Sequence, residues 1–179
     1  MTIHDPAKLK VLLVDDSGER RRIMRTVLST VGVRDIVIAG TIEEALTSLG
    51  RQRIDLLVID QEVAQRGAIA FVRELRRGWD SPAPELPVIL TAAADRETIL
   101  AARDAGVTEF LAKPTSPAAL KSRLDEIVAR PRPFIREAGY IGPCRRRRRL
   151  ENWAGVERRD KDGSGGDSFD DATPGRDSG

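Results

Sequence analysis

Five residues far apart in the chain have types that could act together: Asp15, Asp16, Asp60, Thr91 and Lys113. Three carboxylates brought within a few ångströms of each other repel, and they stay ionised only beside a cation. A hard divalent ion suits them. Magnesium, or another divalent such as Mn2+, takes oxygen ligands and keeps several waters, so two or three carboxylates hold it and leave room for phosphate oxygens. A carboxylate is also the nucleophile in aspartyl-phosphate formation. The metal and the Lys113 ammonium would stabilise charge on a transferring phosphoryl group, and the Thr91 hydroxyl would hydrogen-bond one of its oxygens.

Such a set needs a scaffold that gathers distant residues at one edge. Over residues 1–129, short β-rich apolar runs alternate with amphipathic stretches of helical length, which predicts a parallel sheet covered by helices on both faces. The runs are 11–15 (VLLVD), 35–39 (DIVIA), 54–60 (IDLLVID), 87–91 (PVILT) and 107–111 (VTEFL). Ile23, Val27 and Val31 recur at four-residue spacing, as do Leu120 and Leu124, each set marking one helix face. Gly32, Gly50, Gly78 and Gly106 each follow a predicted helix, where a left-handed residue closes the last turn. Thr41 and Glu44 have the spacing of a capping box, and Ser116 followed by Pro117 reads as an N-cap and first-turn proline. These local signals agree on an α/β fold of five βα units. In it the C-terminal strand ends share one edge, where open sheets place their ligands. Asp15 and Asp16 close the first strand, Asp60 the third and Thr91 the fourth, and Lys113 follows the fifth.

On these residues the chain resembles the receiver domains of bacterial two-component response regulators. Residues 11–17 (VLLVDDS) resemble the family's acidic-pair motif, 57–60 (LVID) its acceptor strand, 88–92 (VILTA) its hydroxyl strand and 110–114 (FLAKP) its lysine motif. Order, spacing and strand context fit across residues 8–129. The resemblance implies a flavodoxin-like, doubly wound parallel sheet in strand order 2-1-3-4-5. It implies that Asp60 accepts a phosphoryl group from a sensor histidine kinase or a histidine phosphotransfer protein. Asp16, Asp60 and the backbone carbonyl of Glu62 would bind magnesium, with Asp15 acting mainly through water. Thr91 and Lys113 would contact the phosphoryl group, Phe110 would be the aromatic switch that turns inward when Thr91 moves, and the Lys113–Pro114 bond would be cis. Output would be phosphorylation-dependent binding of a downstream protein through the fourth helix, fifth strand and fifth helix.

Plainer readings exist for each residue taken singly. A strand-end aspartate is as a rule a cap or turn residue, Phe110 a core or edge aromatic, and Glu62 a solvated loop acid. It is the joint pattern of five types in order that points to a site. Glu62, two residues past Asp60, stands near the side from which water would attack and would there tune dephosphorylation. A flavin protein on the same fold would want glycines and hydroxyl donors at the first turn, which here carries two carboxylates.

Composition limits the remaining classes. One cysteine, Cys144, and one histidine exclude an internal disulfide and disfavour a zinc cluster. No apolar run is long enough to span a bilayer and residues 1–7 read as a short arm without a secretory signal, which predicts a cytoplasmic protein. Residues 1–129 are close to neutral, 130–161 carry a net +7 and 162–179 a net −4. A receiver over 8–129 thus bears a basic Pro/Arg-rich extension over 130–159 and an acidic, Gly/Ser-rich tail over 160–179 whose composition predicts disorder. Arg145, Arg146, Arg147, Arg148 and Arg149 form a run that would be a solvated segment or an anion-binding one. Two alternatives follow: a receiver that gates nucleic-acid binding through this run, or an intermediate phosphate carrier in a phosphorelay. The aromatics of the extension would fold back on the last helix or dock on a partner.

Overall fold

The computed structural model describes residues 5–63, 67–77, 81–137 and 139–145. These residues belong to one compact unit. Gly78, all of the arginine run but Arg145, and the 160–179 tail lie outside them.

Five parallel strands, β1 (Lys10–Val14), β2 (Asp35–Ala39), β3 (Leu56–Asp60), β4 (Val88–Ala92) and β5 (Glu109–Ala112), form one sheet in the order β2-β1-β3-β4-β5. Helices α1 (Gly18–Thr30), α2 (Ile42–Arg51), α3 (Ala68–Arg77), α4 (Arg96–Ala105) and α5 (Pro117–Ala129) alternate with them. The central strands are buried on both faces, and their side chains divide with period two between two cores. Leu12, Val14, Leu57, Ile59, Val88 and Leu90 face one core with residues of α2, α3 and α4. Val11, Leu13, Leu56, Val58, Ile89 and Leu111 face the other with residues of α1 and α5. This is the parallel sheet covered on both faces that the alternation predicts, in the doubly wound strand order that the resemblance implies.

Local signals explain most helix ends. Thr41 accepts a hydrogen bond from the Glu44 N–H, and the Glu44 carboxylate accepts one from the Gly40 N–H. The Ser116 hydroxyl caps α5 through the Ala119 N–H, with Pro117 opening the helix. Gly32 and Gly106 take the left-handed conformation, at φ 99 and 88. Gly50 does not: it lies inside α2, which runs one residue further, to Arg51. On α1, Val27 is buried and Val31 packs against the second core, whereas Ile23 is 58% exposed. Four-residue spacing drifts around a helix of 3.6 residues per turn, and the stripe's first member has rotated off the core.

Beyond α5 the sequence pattern had offered no element, and the structure has an antiparallel hairpin of β6 (Phe134–Glu137) and β7 (Tyr140–Pro143). Gly139 turns the chain with φ 91. The hairpin folds back on the domain, β7 packing against α3 and α4. That packing is close: a Cβ on Gly106 would meet the Ile141 carbonyl oxygen at 2.8 Å, and one on Gly142 would meet the Gly106 Cα at 2.8 Å.

Candidate functional site

Strand register brings the predicted residues to one level. Val14 is opposite Ile59, so Asp15 follows at the level of Asp60; Asp60 is opposite Thr91, and Ala92 opposite Ala112, after which comes Lys113. Period two then settles direction. Leu13, Val58, Ile89 and Leu111 all face the core beneath α1 and α5, and Asp15, Asp60, Thr91 and Lys113 each lie two residues beyond one of them. All four border one cleft of about 260 Å³, walled on its apolar side by Ile23, Met24 and Val27 of α1 and by Pro114. Phe110 alternates to the other face, half-buried against the core of α2, α3 and α4.

Asp60 is the centre, 4% exposed. Its Oδ2 accepts from the Thr91 hydroxyl at 2.8 Å, and the Lys113 Nζ stands 2.8 Å from Oδ2 and 3.1 Å from Oδ1. The Glu62 N–H donates to Oδ1 at 2.9 Å. Burying a carboxylate is costly unless it is paired and hydrogen-bonded, and these three donors meet that need. The Lys113–Pro114 bond is cis. Asp15, also buried, accepts from the Ser17 N–H at 2.8 Å, and Ser17 is the N-cap of α1. Asp16 lies further out, and the Glu62 side chain, 64% exposed, reaches Lys113 at 3.4 Å. The structure therefore brings Asp15, Asp16, Asp60, Glu62, Thr91 and Lys113 together.

One residue of the site is not among those expected from the sequence. Arg20, in the first turn of α1, places Nη2 at 2.7 Å from Asp16 Oδ1 and 2.9 Å from Asp15 Oδ1. Its Nε is 3.1 Å from both Asp15 oxygens and 4.0 Å from Asp60 Oδ1, and its Nη1 is 3.4 Å from Glu62 Oε2. The hydrogen bond to Asp15, joined by the nearby charges of Asp60 and Asp16, raises its pKa above the ordinary arginine value, so it is a fixed positive charge. Its place four residues after Asp16, at the i,i+4 spacing of a helical ion pair, was the available clue.

The carboxylates fit a cation, because Arg20 already lies among them. As they stand they do not form a closed cage: among the described residues no group of three or more acidic, histidine or cysteine side chains is disposed to hold a metal ion. Nor, among the described residues, is any helix long and apolar enough to cross a membrane.

Residues 11–125 match the model of the response regulator receiver domain, and the chain belongs to that family of two-component signalling proteins. It is 34% identical over 123 residues to the chemotaxis protein CheY-3 of Vibrio cholerae, covering 68% of this chain and 93% of the relative. It is 32% identical over 123 residues to a probable transcriptional regulator, ycf27, of Porphyridium aerugineum, of which the match spans 49%, about half. Among solved structures, a response regulator from Chloroflexus aurantiacus superimposes with a TM-score of 0.61 at 28% identity, covering 68% of this chain and 98% of the other.

Proposed function

We propose that Asp60 is the phosphoacceptor of a cytoplasmic response regulator that signals by phosphorylation-dependent protein binding. The observation that carries this is the convergence of the Thr91 hydroxyl and the Lys113 ammonium on one buried carboxylate, both within 2.8 Å of Asp60 Oδ2. In the reaction an Asp60 oxygen forms the new bond to phosphorus while the bond from phosphorus to the donor histidine nitrogen breaks, the donor being a histidine kinase or phosphotransfer protein. A divalent ion such as magnesium, held by Asp16, Asp60 and the Glu62 carbonyl with Asp15 behind a water, would neutralise phosphoryl charge. Lys113 neutralises more of it. Thr91 turns its hydroxyl from Asp60 to a phosphoryl oxygen, a contact available only in the active arrangement, so phosphorylation biases an existing equilibrium in which Phe110 moves inward behind Thr91. In this reading the domain promotes its own phosphorylation and hydrolysis, with Glu62 at the mouth of the site tuning the second step.

The test is labelling with a small-molecule phosphodonor and magnesium, comparing wild type with Asp60→Asn. Labelling of the wild type alone is expected; equal labelling of both overturns the assignment. Arg145 is engaged within the domain, 3.3 Å from Asp104 and 4.0 Å over the Tyr140 ring, so nothing described favours the nucleic-acid reading over this one.

A further inference from the structure

Arg20 is in an awkward place for a cation. It is the third residue of α1, where the unpaired N–H groups and the helix dipole make the local potential positive and disfavour an arginine. The Ser17 hydroxyl, capping the helix through the Arg20 N–H at 3.3 Å, fixes the backbone there. The carboxylates of Asp15, Asp16, Asp60 and Glu62 offset that cost, and the guanidinium lies within 4.0 Å of all four. Lys113 reaches only Asp60 and Glu62 among them.

We propose that Arg20 is a built-in counter-cation that occupies the cation position among Asp15, Asp16 and Asp60 and is displaced when a divalent ion binds, thereby setting the metal concentration the site requires. The proposal deepens the acceptor-site reading above and rests on it. Magnesium sits about 2.0–2.1 Å from its oxygen ligands. An ion that close to Asp16 Oδ1 would compete with Nη2, which is 2.7 Å from the same oxygen. Sharing is disfavoured, because two positive centres in contact repel and the carboxylate lone pairs are limited. The exit is short. The Arg20 side chain is 36% exposed, and its Nη1 already faces Glu62, the outermost of the four acids. Displaced Arg20 therefore keeps one ion pair while surrendering those to Asp15 and Asp16. A guanidinium suits this role better than an ammonium, because its fork spans several carboxylates at once.

The experiment is a titration of the full chain with Mn2+ alone, following the free ion by electron paramagnetic resonance, for wild type and Arg20→Met. Methionine keeps an unbranched stem in the cleft that Ile23 and Met24 also line while removing the charge. Arg20→Met is expected to bind Mn2+ roughly tenfold more tightly, several partly exposed ion pairs of modest strength having been removed from competition. Equal or weaker affinity in the variant overturns the proposal and leaves the acceptor site standing. Failure of both proteins to bind Mn2+ overturns the acceptor-site reading and the proposal together. A second measurement needs no variant: in wild type, the Arg20 Nε–H resonance, hydrogen-bonded to Asp15, should shift as Mg2+ saturates the site. A resonance that stays in place through saturation shows Arg20 undisplaced and sinks the idea.

Discussion

Each end of the sheet is organised around an arginine, and the two are held in opposite ways. At the C-terminal edge Arg20 is a third exposed and paired with carboxylates. At the other end Arg76, the penultimate residue of α3, is 2% exposed and bound to neutral carbonyls. Its Nε donates to Gly106, Nη1 to Pro84 and Nη2 to Leu86, at 3.1, 2.8 and 2.8 Å, and its guanidinium lies 5.0 Å from the centroid of the Phe134 ring on β6. Arg76 thus ties together the loop before β4, the end of α4 and the hairpin. Neighbours shape the two charges differently as well. Burial pushes the Arg76 pKa down to about 10, while hydrogen bonding to Asp15 pushes that of Arg20 up. The lesson is that carbonyl partners fix a cation, because nothing else can replace it there, whereas carboxylate partners at an open edge can exchange one cation for another.

The sharpest way to break this contrast is to remove each charge in turn. Arg76→Met leaves two buried carbonyls, of Gly106 and Leu86, and the part-buried Pro84 carbonyl without this donor, a buried one being worth about 1–3 kcal/mol, so a loss of roughly 3 kcal/mol is expected in urea unfolding. Arg20→Met, measured in chelator, should cost less, about 1 kcal/mol, since the guanidinium is a third exposed and Lys113 still neutralises Asp60. Equal losses would mean that Arg20 is as structural as Arg76. The pH response adds a check. Burial lowers the folded pKa of Arg76 to about 10, below its unfolded value, so the unfolded chain binds more protons only in the interval between the two. This group alone therefore raises stability with pH in that interval and contributes no slope at neutral pH.

An intermediate effect is expected at the joint between the hairpin and the domain. Gly106→Ala places a Cβ on a left-handed residue and within 2.8 Å of the Ile141 carbonyl oxygen. The strain and clash together should cost roughly 2 kcal/mol. Backbone amides of β6 and β7 should exchange faster, while Mn2+ affinity at the opposite edge stays as in wild type. A changed affinity would show that the two ends communicate, with α4 as the connecting element.

How far the sequence foretold these two ends differs for a physical reason. The level of Asp15, Asp60, Thr91 and Lys113 and the direction they face follow from period-two burial and parallel register, both visible as apolar runs, whereas the strand order was legible only through the resemblance to receiver domains. Arg20 was hidden because its neighbours in sequence, Arg21 and Arg22, make it look like part of a solvated charge run. Only the cap at Ser17 fixes which of the three turns back to the carboxylates. The hairpin was hidden for another reason. Its strands are four residues each, and their partners are mainly long-range, a buried arginine in α3 and a glycine closing α4, while Arg132, just before the hairpin, reaches Glu109 at the start of β5 at 2.7 Å. No local periodicity reports such contacts. Gly50 was misread because a glycine near a helix end is as easily its last turn as its closing residue.

The smallest expected effect probes whether any part of the hairpin is held as Arg20 is. Arg145 has both kinds of partner at once, the Asp104 carboxylate at 3.3 Å and the Tyr140 ring at 4.0 Å. Both members of the ion pair are nearly half exposed, so water and salt screen it, and exposed pairs of this kind are worth about 0.2–1 kcal/mol. Stacking on the ring is less sensitive to salt, and the Tyr140 hydroxyl is itself anchored by donating to the Pro143 carbonyl at 2.8 Å. Asp104→Ala should therefore cost less than about 0.5 kcal/mol and leave stability insensitive to added salt. A larger, salt-dependent loss would mean that a carboxylate holds this cation too. Arg145 would then join Arg132, which Glu109 already holds at 2.7 Å, as a second carboxylate-bound arginine near the Arg76 end of the sheet.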